Sequence, residues 1–129
     1  MINANELRMG SLIEKDNVMY KFLSLEQNHT STSEYRWYWV ETLDGKLGHY
    51  YYSHFKPIPL TPEILEKCGF DRNCILKIYQ GVNIEWSYGK EVWLTKEGEV
   101  IYEFENTQHL HQLQNLYFAL TNEELNYTP

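Results

Sequence analysis

Residues 11–53 arrange apolar and polar side chains in short alternating blocks, the period of half-buried strands. Residues 11–15 and 18–25 flank Asp16-Asn17, and residues 34–42 and 47–53 flank Asp44-Gly45, a dipeptide suited to positive φ in a tight hairpin. The pattern predicts an antiparallel meander. Residues 26–33 show no periodicity and read as a polar loop. Lys56-Pro57-Ile58-Pro59-Leu60 then breaks the pattern, because prolines favour extended backbone and end regular pairing. A module boundary belongs there: residues 1–55 form the first module, 56–60 a linker short enough for the modules to pack as one unit, and 61–129 the second module.

The second module opens with Thr61 as N-cap and Pro62 at the first helical position, where its missing N–H is harmless. Ile64, Leu65 and Cys68 share one face before Gly69 stops the helix. Next, Val82, Ile84, Trp86 and Tyr88 alternate with Asn83, Glu85 and Ser87. With turns at Gly89-Lys90 and Lys96-Glu97-Gly98, residues 75–104 read as a four-stranded meander. From residue 107 to 120 the period becomes helical: Leu110, Leu113, Leu116, Tyr117 and Leu120 fall within about 120° of one another. Phe118 and His111 share an edge outside that stripe, and Asn122 suits a left-handed helix end. The predicted fold is α+β, an N-terminal SH3-like antiparallel β-barrel followed by a four-stranded antiparallel sheet flanked by two helices.

Composition supports this reading. Only two of 129 residues are alanine, whereas 16% are aromatic, a bias toward residues that suit a pleated, half-buried surface. The net charge is −7 and sits mostly in residues 61–129, with five basic and eleven acidic side chains. A chain without a Lys/Arg cluster is a poor candidate for general nucleic-acid binding. Cys68 and Cys74 are separated by five residues rather than the two of a redox or zinc pair, which suits a reduced, cytoplasmic setting. The N-terminus has neither a basic start nor an apolar stretch, and no apolar run approaches the roughly 18–20 residues that span a bilayer, so no membrane association is expected.

The aromatic block is the most unusual feature. Tyr35, Trp37 and Trp39 alternate with Arg36, Tyr38 and Val40, and Tyr50, Tyr51 and Tyr52 follow the hairpin, so both faces carry rings. One face serves as core. The other can present rings, beside Arg36, Lys46 and Lys56, to stack on bases, sugars or a peptide. Tyr35, Trp37, Trp39, Tyr50 and Tyr52 are therefore candidate contacts, joined by Phe118 and His111.

Catalytic and metal signatures are missing. His109 and His111 on one helix point about 200° apart, whereas two ligands from one helix face need a spacing of three or four. Cys68 lies on an apolar stripe, and the chain has neither a Gly-rich phosphate loop nor a nucleophile elbow. Glu97, Glu99, Glu103 and Glu105 read most simply as a solvated face. The residues therefore point to a non-enzymatic protein without cofactor or metal, with a protein as its partner. Single-stranded nucleic-acid binding through the same hairpin, disfavoured by charge, and acidic mimicry of nucleic acid are the alternatives, and oligomeric state stays open.

Three blocks also carry a resemblance: Asn5-Glu6-Leu7-Arg8-Met9-Gly10; Pro57 to Leu65 with Gly69-Phe70; and His111-Gln112-Leu113-Gln114-Asn115-Leu116-Tyr117-Phe118-Ala119-Leu120-Thr121 with Glu123-Glu124-Leu125. Together they resemble a family of short uncharacterised proteins encoded by Bacteroidetes bacteria, often in prophage or mobile-element regions. Ser11 stands where that family usually has Asn, and Asn122 where it usually has Gly. The resemblance implies a cytoplasmic location and a phage or mobile-element context; it brings no activity, ligand or site residues.

Overall fold

The structure, a computed structural model, describes residues 2–27, 36–87 and 91–129. Among the described residues the protein is α+β, with two four-stranded antiparallel sheets and two α-helices, and it divides into units Met1–Ile58 and Pro59–Pro129. The division falls within the predicted linker, whose flanks are tied down. Lys56 exchanges both backbone hydrogen bonds with Glu14 in the first unit, and Leu60 N–H donates to the Gln108 carbonyl in the second.

In the first unit, β1 (Leu12–Lys15), β2 (Val18–Gln27), β3 (Arg36–Thr42) and β4 (Leu47–Tyr51) form a meander in sequence order. Asp16 and Asn17 both adopt positive φ (51° and 63°), the requirement of a two-residue turn between right-twisted strands. Gly45, at φ 93°, turns β3 into β4, and the Thr42 hydroxyl bonds the Asp44 carboxylate across that loop. Ile13, Tyr20, Phe22, Tyr38, Val40 and Phe55 bury one face of the sheet. Their rings meet edge-on, as Phe22 and Tyr38 do at 5.1 Å and 88°, or stacked, as Tyr38 and Phe55 do at 5.6 Å and 28°. Burial raises the Tyr38 hydroxyl pKa above its ordinary value.

Two expectations change here. β2 runs on through Gln27, so Glu26 is a strand residue rather than part of a polar loop. The rest of that loop lies outside the described residues. The sheet is also open: among the described residues no ladder joins β4 to β1, so the closed SH3-like barrel is not seen. The chain leaves β4 in a 3₁₀ turn, Tyr52–His54, where the sequence predicted continued strand. It then bridges to the outer edge of β1 through Glu14 and Lys56, and Pro57 and Pro59 lack the N–H needed to extend that pairing.

In the second unit, α1 (Pro62–Lys67) starts as the sequence predicts. Thr61 Oγ1 accepts a hydrogen bond from Ile64 N–H at 3.2 Å, and Gly69, at φ 95°, follows the last turn. Leu65 and Cys68 are buried. β5 (Ile75–Tyr79), β6 (Val82–Ser87), β7 (Glu91–Lys96) and β8 (Glu99–Phe104) form the second meander, in the order β5-β6-β7-β8. α2 (Leu110–Thr121) begins three residues later than predicted because His109 is extended, bridged to Pro59. Gln112 Oε1 accepts from the backbone N–H groups of both Gln108 and His109, closing the helix start. Asn122, at φ 60°, ends it in the left-handed region. Leu110, His111, Leu113 and Gln114 are the buried residues of α2, whereas Leu116, Tyr117 and Leu120 are half-buried, so the covered stripe is rotated from the predicted one.

Candidate functional site

β-pairing fixes which rings share a face. Tyr38 lies opposite Tyr50, while Trp37 lies opposite Tyr51 and Trp39 opposite His49. Side chains alternate along a strand, so Tyr38 and Tyr50 face the core and Trp37, Trp39, His49 and Tyr51 line the other face. On that face the His49 ring stacks on Trp39 at 4.1 Å and 17° and lies 5.3 Å from Trp37. Trp37 meets Tyr51 edge-on at 5.5 Å, and Tyr51 continues to His54 at 6.1 Å. The result is a row of rings across two strands, with Trp37 37% exposed although it is one of the largest apolar side chains.

A carboxylate anchors the row. Glu26 Oε2 accepts the Trp39 indole N–H at 3.1 Å and lies 3.0 Å from His49 Nε2. Glu26 reaches this face because β2 carries a bulge. Phe22 pairs with Val40 but Ser24 pairs with Trp39, so Leu23 is the extra residue. A one-residue slip exchanges the faces of everything beyond it. Tyr20 and Phe22 therefore face the core, whereas Ser24 and Glu26 share the face of Trp37 and Trp39.

Of the residues chosen from sequence, Trp37 and Trp39 come together on the open face. Tyr50 does not join them, since it packs against the buried core of the first unit; Tyr52 also packs against that core, while its ring meets Tyr51 edge-on at 4.9 Å at the end of the row. Tyr50 folds over Gly48, where an added Cβ would meet its ring at 2.5 Å, and the Lys15 ammonium sits 4.5 Å from its centroid. Tyr35 lies outside the described residues. His111 is buried at 1% exposure, so it forms no surface edge with Phe118, which stays exposed on α2. The basic side chains expected beside the rings are placed elsewhere: Arg36 has the parity of Tyr38 and Val40, and Lys56 bridges β1. His49, Glu26 and Tyr51 were missed. For His49 and Tyr51 the signal was available, because each holds the same strand parity as its cross-strand tryptophan.

Two other groupings carry less chemistry. The His109 and His111 rings lie 6.0 Å apart and nearly parallel, because His109 precedes the helix and escapes the helical spacing argument. In the second unit a cavity of about 480 Å³ is lined by Arg72, Cys74, Trp86 and Trp93 among others. Trp93 Nε1 is buried there and meets no acceptor among the described residues. Burial, followed by the Asp71 charge, raises the Cys74 thiol pKa, the opposite of what activates a cysteine nucleophile. Burial pushes the Cys68 thiol up to about 12. Glu91, Glu103 and Glu105 are the group of carboxylates that could approach one cation among the described residues, within 4.8 Å of one another. No helix among the described residues is long and apolar enough to cross a membrane.

No family model, curated protein or solved structure matches the chain.

Proposed function

We propose that this is a non-enzymatic binding or adaptor protein that docks a protein partner on the open face of its first sheet. The observation that carries the reading is the Trp37–His49–Trp39 row held by Glu26 on the face away from the core. Half-exposed tryptophans supply large contact area at little entropic cost, because their rings are already ordered by stacking and by a hydrogen bond. The carboxylate among the rings favours a neutral or cationic protein segment and disfavours a phosphate backbone, so nucleic acid is the weaker ligand for this face. The phage or mobile-element setting of the role rests on the sequence resemblance alone.

The finer architectural reading, an SH3-like barrel, belongs to this proposal. It is supported by the meander order, the 3₁₀ turn after β4 and the return of Lys56 onto the outer edge of β1. The test of function is capture from a bacterial lysate, with and without nuclease, using the natural chain and Trp37→Ala. A protein that survives nuclease and is lost from the variant supports the reading; partners lost with nuclease, or retained equally by the variant, contradict it.

A further inference from the structure

β8 is an edge strand, and residues Glu99 to Glu103 along it are all exposed. Val100, Ile101 and Tyr102 are 45%, 54% and 60% accessible, although these residue types normally seek cover. Among the described residues β8 pairs only with β7, which leaves its outer row of backbone N–H and C=O groups open for another strand. At its C-terminal end lies a depression of about 400 Å³ lined by Tyr102, Glu103, Phe104, Glu105, Asn106 and Thr107. The Tyr102 and Phe104 rings meet at 4.8 Å on the face of their cross-strand partners Leu94 and Val92, while the carboxylates of Glu103 and Glu105 gather with that of Glu91 on the opposite face.

We propose that this edge receives an extended segment of a basic protein, added as a fifth strand whose arginine or lysine side chains meet the grouped carboxylates of Glu103 and Glu105. Strand addition draws affinity from main-chain hydrogen bonds and specificity from alternate side chains. Strand alternation gives such a segment two kinds of contact, apolar side chains beside Tyr102 on one face and cationic side chains in charge-assisted contact with the grouped carboxylates on the other. Charge also selects against a second copy of this chain. Antiparallel self-pairing centred on Ile101 would set Glu99 against Glu103, and centring on Tyr102 would set Glu99 against Glu105, both like-charge pairs. The register shift on β8, where Tyr102 pairs with Leu94 and Val100 with Thr95, leaves Ile101 as a bulge. The strand twists most there, so a short partner segment fits better than a long flat one. This edge lies in the second unit and does not depend on the aromatic face of the first.

The test titrates the full chain with a fluorescein-labelled heptapeptide of alternating valine and arginine, followed by anisotropy. A second peptide has proline for its central valine and the same charge. Saturable binding is expected, weakened at least tenfold by the proline and at least tenfold by the double substitution Glu103→Gln and Glu105→Gln. Absence of saturable binding, or equal affinity for the two peptides, overturns the proposal. So does undiminished binding by the folded double variant; should that variant lose its far-ultraviolet dichroism, the two peptides on the natural chain decide.

Discussion

His49 lies flat against Trp39, with ring centroids 4.1 Å apart and planes 17° from parallel, while its Nε2 sits 3.0 Å from the carboxylate of Glu26. The same carboxylate oxygen accepts a hydrogen bond from the Trp39 indole N–H, so one side chain of β2 orients two rings on neighbouring strands. This arrangement orders the open face without burying it.

Glu26→Ala is expected to cost less than about 1 kcal/mol of stability, the scale of an exposed pair. The Trp39 indole N–H would lose its acceptor, and its proton resonance would shift while those of the other tryptophans stay in place. Urea unfolding and a two-dimensional amide spectrum measure both. A loss well above 2 kcal/mol would mean that Glu26 supports the fold rather than the face.

Alkaline stability is expected to depend on Cys68. Its thiol is pushed up to about 12 from an ordinary 9, so the unfolded chain ionises first. Stability from this group is complete below pH 9 and falls as pH rises from 9 toward 12, with a limiting slope of about 1.4 kcal/mol per unit. Cys68→Ala should flatten that slope when unfolding is compared with the natural chain at pH 8 and 10.5. Tyr20 and Tyr38, also raised by burial, contribute the same sign in both proteins. A slope unchanged in Cys68→Ala would contradict the assignment.

Thr61→Ala should destabilise the protein by about 1 kcal/mol, because the Thr61 hydroxyl caps the first turn of α1 through Ile64 N–H. Thermal or urea unfolding gives the value, and Thr61→Ser should recover most of it.

Much of this architecture is legible in the chain itself. Asp16-Asn17 and Asp44-Gly45 mark hairpins because few other residues enter positive φ cheaply, and Thr61-Pro62 marks a helix start for equally local reasons. The later start of α2 is not local: His109 would suit the helical period, but its bridge to Pro59 holds it extended. The open sheet was hidden for a similar reason, since closure depends on how far the chain continues to pair after the 3₁₀ turn at Tyr52–His54. At the aromatic face, strand parity identified Trp37 and Trp39, yet Glu26 was invisible. A bulge at Leu23 sets its direction, and a bulge is a property of the pairing with β3 rather than of the sequence around Glu26. The core-facing position of Tyr50 is not legible either, because an all-aromatic run shows no contrast between its faces.

The central claim is that Trp37 and Trp39 form a surface held ready for a partner, while Tyr38 between them belongs to the core. Urea unfolding of the Trp37→Ala, Trp39→Ala double variant beside Tyr38→Ala tests it most directly. Tyr38 is 1% exposed, and its truncation should cost about 3–5 kcal/mol. The double variant should lose no more than about 2 kcal/mol. A double variant as damaged as Tyr38→Ala would show that the tryptophans hold the fold together and would contradict the account.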